Sequence, residues 1–373
     1  MPEIWLRYGT TDIVLDIKFE NLLKHIFSTF PLLTEEEVKL ALRDVVLTDN
    51  MLIIALYDSK AVARTISMLV EMTISRGFSK VTVETLPMLV DPLRTNLADS
   101  SIIINQINYH SLQERIKKFN STIFVSQTIY DPLFGFSCTP TLLLRNFMRE
   151  QMSEAFNARK DNIPNPGIEG PPLQIALSAC QNIHATCIEV ISNSIGIAAI
   201  YCGNIAETLH KAIKKLISIS LVELEEISRS VIISTSSEIG PHQTLARSLN
   251  SLWNSIKVVK DNGSIILLAE NLKGIGGGAL EMFVEGRLKT DEIDKKSFYI
   301  DGLEHILFIR EFQKKYQLGI VSTLPRYYSK TKLGLKYYTS VKNASEELLL
   351  KYGKSHKILI LSDADITLMI PRL

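Results

Sequence analysis

Seven histidines, at 25, 110, 184, 210, 242, 305 and 356, are the side chains best suited to proton transfer or metal binding near neutral pH. They are scattered: no two stand at i,i+4, no HExxH occurs, and Cys138, Cys180, Cys187 and Cys202 form no CxxC pair. A preformed zinc centre therefore has no support in the sequence. GxSxG and GxxxxGK[ST] are absent, which removes the nucleophile elbow and the phosphate-cradling P-loop. What remains are residues placed where α/β proteins bind ligands. Asp58 ends an apolar run with Lys60 and Arg64 just beyond it. The carboxyl end of a buried strand is where such a carboxylate meets a ligand, and also where one caps the next helix. His242-Gln243 follows Pro241 at a strand-to-helix junction, with Arg247 further along the same helix. A helix N-terminus beside an arginine suits a carboxylate substrate, and equally a solvated first turn. Asp58 and His242 are thus the candidates for proton transfer, Gln243 and Arg247 for holding a substrate. Gly274-Ile275-Gly276-Gly277-Gly278 reads either as backbone N–H groups offered to an anion or as a tight turn. Asp131-Pro132 and Phe134-Gly135-Phe136 also follow an apolar run, and Cys138 reads as a small buried hydrophobe.

These residues need elements to position them, and the chain has them. Runs that read as buried strands, at Met51–Tyr57, Lys80–Thr85, Ser101–Asn105 and Ser121–Gln127, alternate with helical spacing, as at Ala61–Arg76. That alternation predicts βαβ units and a parallel sheet covered on both faces. The proline-rich Asp161–Pro172 predicts a loop. Helix follows at Leu173–Gln181, strands at Thr186–Ile191 and Gly196–Tyr201, and helix at Ala206–Ile219. A second alternating series runs through Val231–Ser234, a helix over His242–Val259, Ser264–Ala269, helix within Leu280–Tyr316, Leu318–Ser322, a helix at Ala344–Tyr352 and Lys357–Leu361. The fold class expected is α/β, with two doubly wound domains of mostly parallel sheet, 1–224 and 225–373, and a cleft between them.

The 373 residues carry 41 Lys+Arg against 40 Asp+Glu, a formal net charge of +1, with 46% hydrophobic and 22% charged residues. Balanced charge speaks against a chain whose main work is gripping a phosphate backbone, and leaves room only for a local patch. The lysine-rich stretches Lys211–Lys215, Lys330–Lys336 and Lys351–Lys357 read as docking points for a nucleoprotein assembly or as solvated faces. No run of about 18 apolar residues is free of charge, and the opening MPEIWLRYGTTDIVLD has no apolar core of a secretory signal. With unpaired cysteines, a reduced cytoplasmic protein is expected.

The order of several short phrases resembles the nickel-dependent lactate racemase family. They are Leu6-Arg7-Tyr8-Gly9 with Ile13 through Asp16 and Glu20-Asn21-Leu22-Leu23, the strand ending at Asp58, and Asp131-Pro132-Leu133-Phe134-Gly135-Phe136-Ser137. Asn165-Pro166-Gly167 before Glu169-Gly170-Pro171, then Gly203-Asn204, follow in the same order. Val259-Lys260 with Gly263 through Glu270 and Gly274 comes next, then Ser362-Asp363 through Pro371. The resemblance implies two α/β domains around a cleft and an epimerisation of 2-hydroxy acids. It also implies a nickel pincer cofactor tethered to a lysine and completed by a histidine, with two further histidines as acid and base. The departures fall on those residues. Leu86-Pro87 and Leu133 stand where the family has its two catalytic histidines. No lysine lies near Thr139–Leu142 and no histidine near Ala155–Asn157, where the tether and the metal ligand would fall. Asp58-Ser59-Lys60-Ala61-Val62 keeps only the acid of the family's Asp-x-Thr-Arg-Pro. A leucine can neither exchange a proton nor ligate nickel. The expectation is a divergent relative without metal or pincer cofactor, binding a small carboxylate or a protein or nucleoprotein partner, with neither membrane nor specific nucleic acid. The alternative is an isomerase, a racemase or epimerase of a 2-hydroxy or sugar acid, working with Asp58, His110, His242 and Arg247.

Overall fold

Leucine, isoleucine and valine at consecutive positions can be buried together only where both faces of a strand are covered, and helices on each side of a parallel sheet provide that cover. Met51–Ala55 is such a strand, buried at every position. The structure, a computed structural model, describes residues 3–97, 101–108, 111–159, 165–235, 244–294 and 299–372. It has an α/β architecture built on two six-stranded sheets.

The first sheet has the spatial order Ile197–Gly203, Thr186–Ser192, Ser121–Gln127, Met51–Ala55, Val81–Thr85, Ile104–Gln106. All its neighbours run parallel except the Thr186–Ser192 and Ile197–Gly203 hairpin. The second sheet has the order Lys336–Tyr338, Gln317–Val321, Val259–Leu268, Ser228–Ser234, Ile358–Leu361, Leu22–Ile26 and is parallel throughout. Two pairings cross between the chain's halves. Leu22–Ile26 lies beside Ile358–Leu361, and Leu221–Leu224 pairs in parallel with Leu368–Pro371. The Glu3–Tyr8 and Thr11–Asp16 hairpin places Ile4, Leu6, Leu15 and Ile17 against Ile232, Ile266 and Ile360 of the second sheet.

The predicted strands and long helices are present, with ends that differ by a few residues. The helix expected from Ala61 covers Lys60–Ser75, that expected over Ala206–Ile219 covers Ile205–Ser220, and the one expected over His242–Val259 is Leu245–Trp253. The proline-rich stretch ends earlier than expected, because Pro171 and Pro172 open the helix Pro171–Ala179. In a first turn the N–H that proline lacks has no intrahelical partner to lose. Two further helices, Thr139–Phe147 and Arg149–Ala158, follow the first sheet's central strand. Among the described residues no helix is long and apolar enough to cross a membrane.

Candidate functional site

The carboxyl ends of the parallel strands in the two sheets open into one cleft of about 280 Å³. Crevices at the carboxyl ends of the strands are where such sheets take ligands, since loops there diverge and leave a gap. Asp58 lines this cleft, three residues beyond the end of Met51–Ala55. It is not the cap of the following helix. Ser59 is, its Oγ accepting from the Val62 N–H at 3.1 Å, while Asn96 Nδ2 donates to the Asp58 carbonyl at 2.6 Å. Arg247 lines the same cleft and lays its guanidinium over the Tyr57 ring at 5.5 Å. No carboxylate bridges it among the described residues. Asn250, three positions on, also faces the cleft, and its buried Oδ1 has no hydrogen-bond partner. His242, Gln243 and His110 lie outside the described residues.

The expected carboxylate cradle at the helix N-terminus is filled from within. The N–H groups of Leu245 and Ala246 donate to the carbonyls of Gly274 and Ile275, both at 3.0 Å. The glycine loop thus presents carbonyls to a helix rather than N–H groups to an anion. Its glycines are there for their backbone: Gly276 has φ +99°, and a Cβ at Gly278, φ +62°, would sit 2.2 Å from the Asp301 carbonyl. Of the two readings that the sequence allows for this loop, the positive φ angles and the close approach to Asp301 favour the tight turn.

The polar centre of the cleft is one that sequence reading missed. Arg145, on Thr139–Phe147, meets carboxylates from both halves of the chain. Its Nη2 is 3.2 Å from Asp131 Oδ2, and its Nη1 is 3.0 Å from both Asp301 Oδ1 and Glu304 Oε1. Nη1 also donates to the Tyr299 hydroxyl, which donates in turn to Glu304 Oε2 at 3.1 Å. The guanidinium lies 5.0 Å from the Phe134 ring centre. Burial disfavours its charge, but Tyr299 and the carboxylates of Glu304, Asp131 and Asp301 outweigh that and hold it above its ordinary range. Asp131 is fixed by its own turn, Oδ1 accepting from the N–H groups of Leu133 and Phe134 at 2.8 Å. The buried Glu189 pins the start of the Arg145 helix, accepting from Thr139 N–H, Ser126 Oγ and Thr128 Oγ, each at 2.7 Å.

His305, next to Glu304, also faces the cleft. Trp253 Nε1–H donates to its Nδ1 at 3.0 Å, so the neutral ring carries its proton on Nε2. Burial lowers its pKa, with Glu304 opposing the shift and Arg145 adding to it. One wall is aliphatic, with Leu56, Leu86, Met88, Leu89, Pro92 and Leu142, while Ser137, Asn146, Thr244 and Lys273 add polar groups elsewhere on the lining. Leu133 is buried, as are Thr139, Pro140, Thr141, Leu142, Ala155 and Phe156, while Asn157 is exposed. Cys138 is wholly buried, and burial raises its thiol pKa well above the usual range, with Glu189 adding to the effect. It packs as the small hydrophobe expected. Among the described residues no group of three His, Cys, Asp or Glu side chains could hold a metal ion.

Two measurements follow from this geometry. Arg145→Met leaves Asp131, Glu304 and Asp301 facing one another without a cation, and urea unfolding should show a loss of about 3–5 kcal/mol. Adding Glu304→Gln should recover part of that loss, and a singly substituted chain as stable as the parent would mean that the cluster is solvated. For His305, the folded chain resists a proton that the unfolded chain accepts at the ordinary value of 6.5. Stability is then whole above that pH and declines as pH falls below it. His305→Gln keeps an acceptor for Trp253 and removes the titration, so its Tm should fall less steeply between about pH 7 and 5. Equal slopes would assign the decline to other groups.

No family model matches the chain, and no curated protein does. Solved structures do match. The lactate racemase apoprotein from Thermoanaerobacterium thermosaccharolyticum superposes with a TM-score of 0.75 at 14% identity, covering 99% of this chain and 100% of that one. A protein from Thermotoga maritima superposes with a TM-score of 0.68 at 12% identity, covering 91% of this chain and 99% of that one. The chain has a lactate racemase-like fold over nearly its whole length, at an identity that carries the fold and not the activity.

Proposed function

We propose that this chain is a lactate racemase-fold protein that binds a small 2-hydroxy acid with an aliphatic tail, without nickel-pincer chemistry. The observation that carries the reading is the pairing of Arg247 with Asn250 on one face of a single helix turn. Among the described residues Arg247 forms no salt bridge, although its charge helps to hold the Asp301 pKa down, and Asn250 Oδ1 is a buried acceptor without a donor. An α-hydroxy carboxylate presents the complementary pair, a carboxylate for the guanidinium and a hydroxyl for the amide oxygen. The aliphatic wall of Leu56, Leu86, Met88 and Leu142 faces them and suits an apolar tail.

Arg145 does not compete for the acid, because three carboxylates already surround it. The side chains where the resemblance would put the pincer's tether and metal ligand are Thr, Pro and Leu at 139–142 and Ala, Phe and Asn at 155–157. None of them can form the lysine linkage or donate to nickel as imidazole does. His305 offers an N–H and not a lone pair to the cleft while Trp253 holds its Nδ1. A donor there polarises or orients a ligand; abstracting a proton from an α-carbon requires an unprotonated nitrogen. The competing reading, turnover of the same acid, rests on Asp58, a carboxylate 3% exposed at the cleft wall.

Calorimetric titration with the two enantiomers of 2-hydroxyisocaproate tests the binding. Arg247→Met should weaken it by roughly tenfold or more, the worth of a charge-assisted contact. Absence of heat with the parent chain, or equal affinity in the variant, removes this reading. Metal analysis with intact mass and a chiral assay on protein from its own cells tests the chemistry. The expected result is the mass of the unmodified chain, no stoichiometric nickel and no exchange of enantiomers. About one nickel per chain with a covalent mass surplus would restore the family reaction. Enantiomer exchange lost in Asp58→Asn, without nickel, would establish the isomerase.

A further inference from the structure

At the amino ends of the second sheet, opposite the cleft, an open groove of about 980 Å³ gathers Lys314, Lys315, Arg326, Lys330, Lys336 and Lys351 against a single carboxylate, Glu347. The whole chain balances its charges to +1, so this is a local segregation of charge. Half of the set is internally engaged. Lys314 bridges Glu311 at 2.6 Å, Lys336 bridges Glu347, and Lys351 donates to Gln317 Oε1 at 3.0 Å. Lys315, Arg326 and Lys330 are exposed and bridged to no carboxylate among the described residues. They come from two places: Lys315 follows the helix Leu303–Phe312, while Arg326 and Lys330 stand four positions apart at the N-cap and within the π-helical turn Tyr327–Lys332. A single solvated helix face would not include Lys315. Here the fold brings them to one groove, which also exposes parts of Tyr316 and Tyr337.

We propose that this groove binds the backbone of single-stranded nucleic acid without regard to sequence. Cations in a row meet successive phosphates, and their binding releases condensed counterions. Half-buried tyrosines beside them offer faces on which unpaired bases stack. The concave shape favours a strand over a lipid surface, because a flat bilayer reaches only the rim of a groove. Neither the cleft nor its ligand enters this assignment, since the groove lies at the other end of the strands.

Fluorescence anisotropy with a fluorescein-labelled 15-nucleotide oligouridylate tests it. The parent chain should bind in the micromolar range at about 50 mM salt and weaken by at least tenfold toward 200 mM, as backbone contacts require. Lys315→Glu with Arg326→Glu and Lys330→Glu should weaken binding at least tenfold and flatten the salt slope. The three alanine substitutions at the same positions should give an intermediate loss, which separates charge from any failure to fold. Reversal of Lys211, Lys214 and Lys215, a lysine run on another helix, should leave binding unchanged. Equal binding in the groove and control variants overturns the proposal. So does the absence of saturable binding with about 100 μM protein at the lower salt. Co-sedimentation with vesicles of 30% phosphatidylserine in phosphatidylcholine, with the oligonucleotide left unbound, overturns it in favour of a membrane surface.

Discussion

The two halves of this molecule are joined across their cleft by one buried cation. Arg145 comes from a helix of the first half, and Asp301, Glu304 and Tyr299 come from the second. A guanidinium removed from water is costly unless its N–H groups meet acceptors, and here carboxylates and a hydroxyl meet both terminal nitrogens. The same contacts keep Glu304, only 2% exposed, from being buried without a counter-charge. The cleft's width is set by this arrangement, as is the position of His305, one residue after Glu304 on the helix Leu303–Phe312. Beneath it, Trp253 stacks on Phe312 and meets Phe308 edge-on, at 5.4 and 5.8 Å, so the histidine stands on a rigid aromatic floor.

That arrangement narrows the chemistry. Where the lactate racemase resemblance calls for imidazoles, the cleft has a wall of leucine and methionine, and its strongest cation is already enclosed by acids. Beside it the cleft is lined by Arg247, Lys273, Asn250, His305 and Asp58, groups that recognise polar atoms of a ligand, with Asp58 the carboxylate among them. The scaffold is shared while the residues lining the cleft differ, and it is at those residues that function is decided on a common fold.

The scaffold was legible in the chain because its central strands are buried on both faces. MLIIA and VIIS have no polar alternation to confuse with a helix of mixed exposure. Edge strands were harder to read: Lys336–Tyr338 is three residues long and half polar, and Leu22–Ile26 carries Lys24 and His25 within it. The site was legible only in part. Asp58 and Arg247 announced themselves by standing just past an apolar run or near a helix start. Arg145 and Asp301 are separated by 156 positions, and no local spacing links them. The signal available was acidic Glu304 and basic His305 on the inward side of a helix whose other buried residues are apolar.

The crossed pairings also order events in time. Leu22–Ile26 has its neighbour in Ile358–Leu361, and Leu221–Leu224 has its neighbour in Leu368–Pro371. During synthesis the first of these segments leaves the ribosome long before its partner exists, and until then its backbone N–H and C=O groups face water or a chaperone. The first sheet has all its strands between residues 51 and 203 and can close while the rest is being made. The second sheet waits for nearly the last residues of this sequence, and with it waits the cleft. A ribosome-bound chain lacking Ile358–Leu361 and Leu368–Pro371 would hold a finished first sheet and an incomplete second one, so the cleft takes shape only after those strands are made.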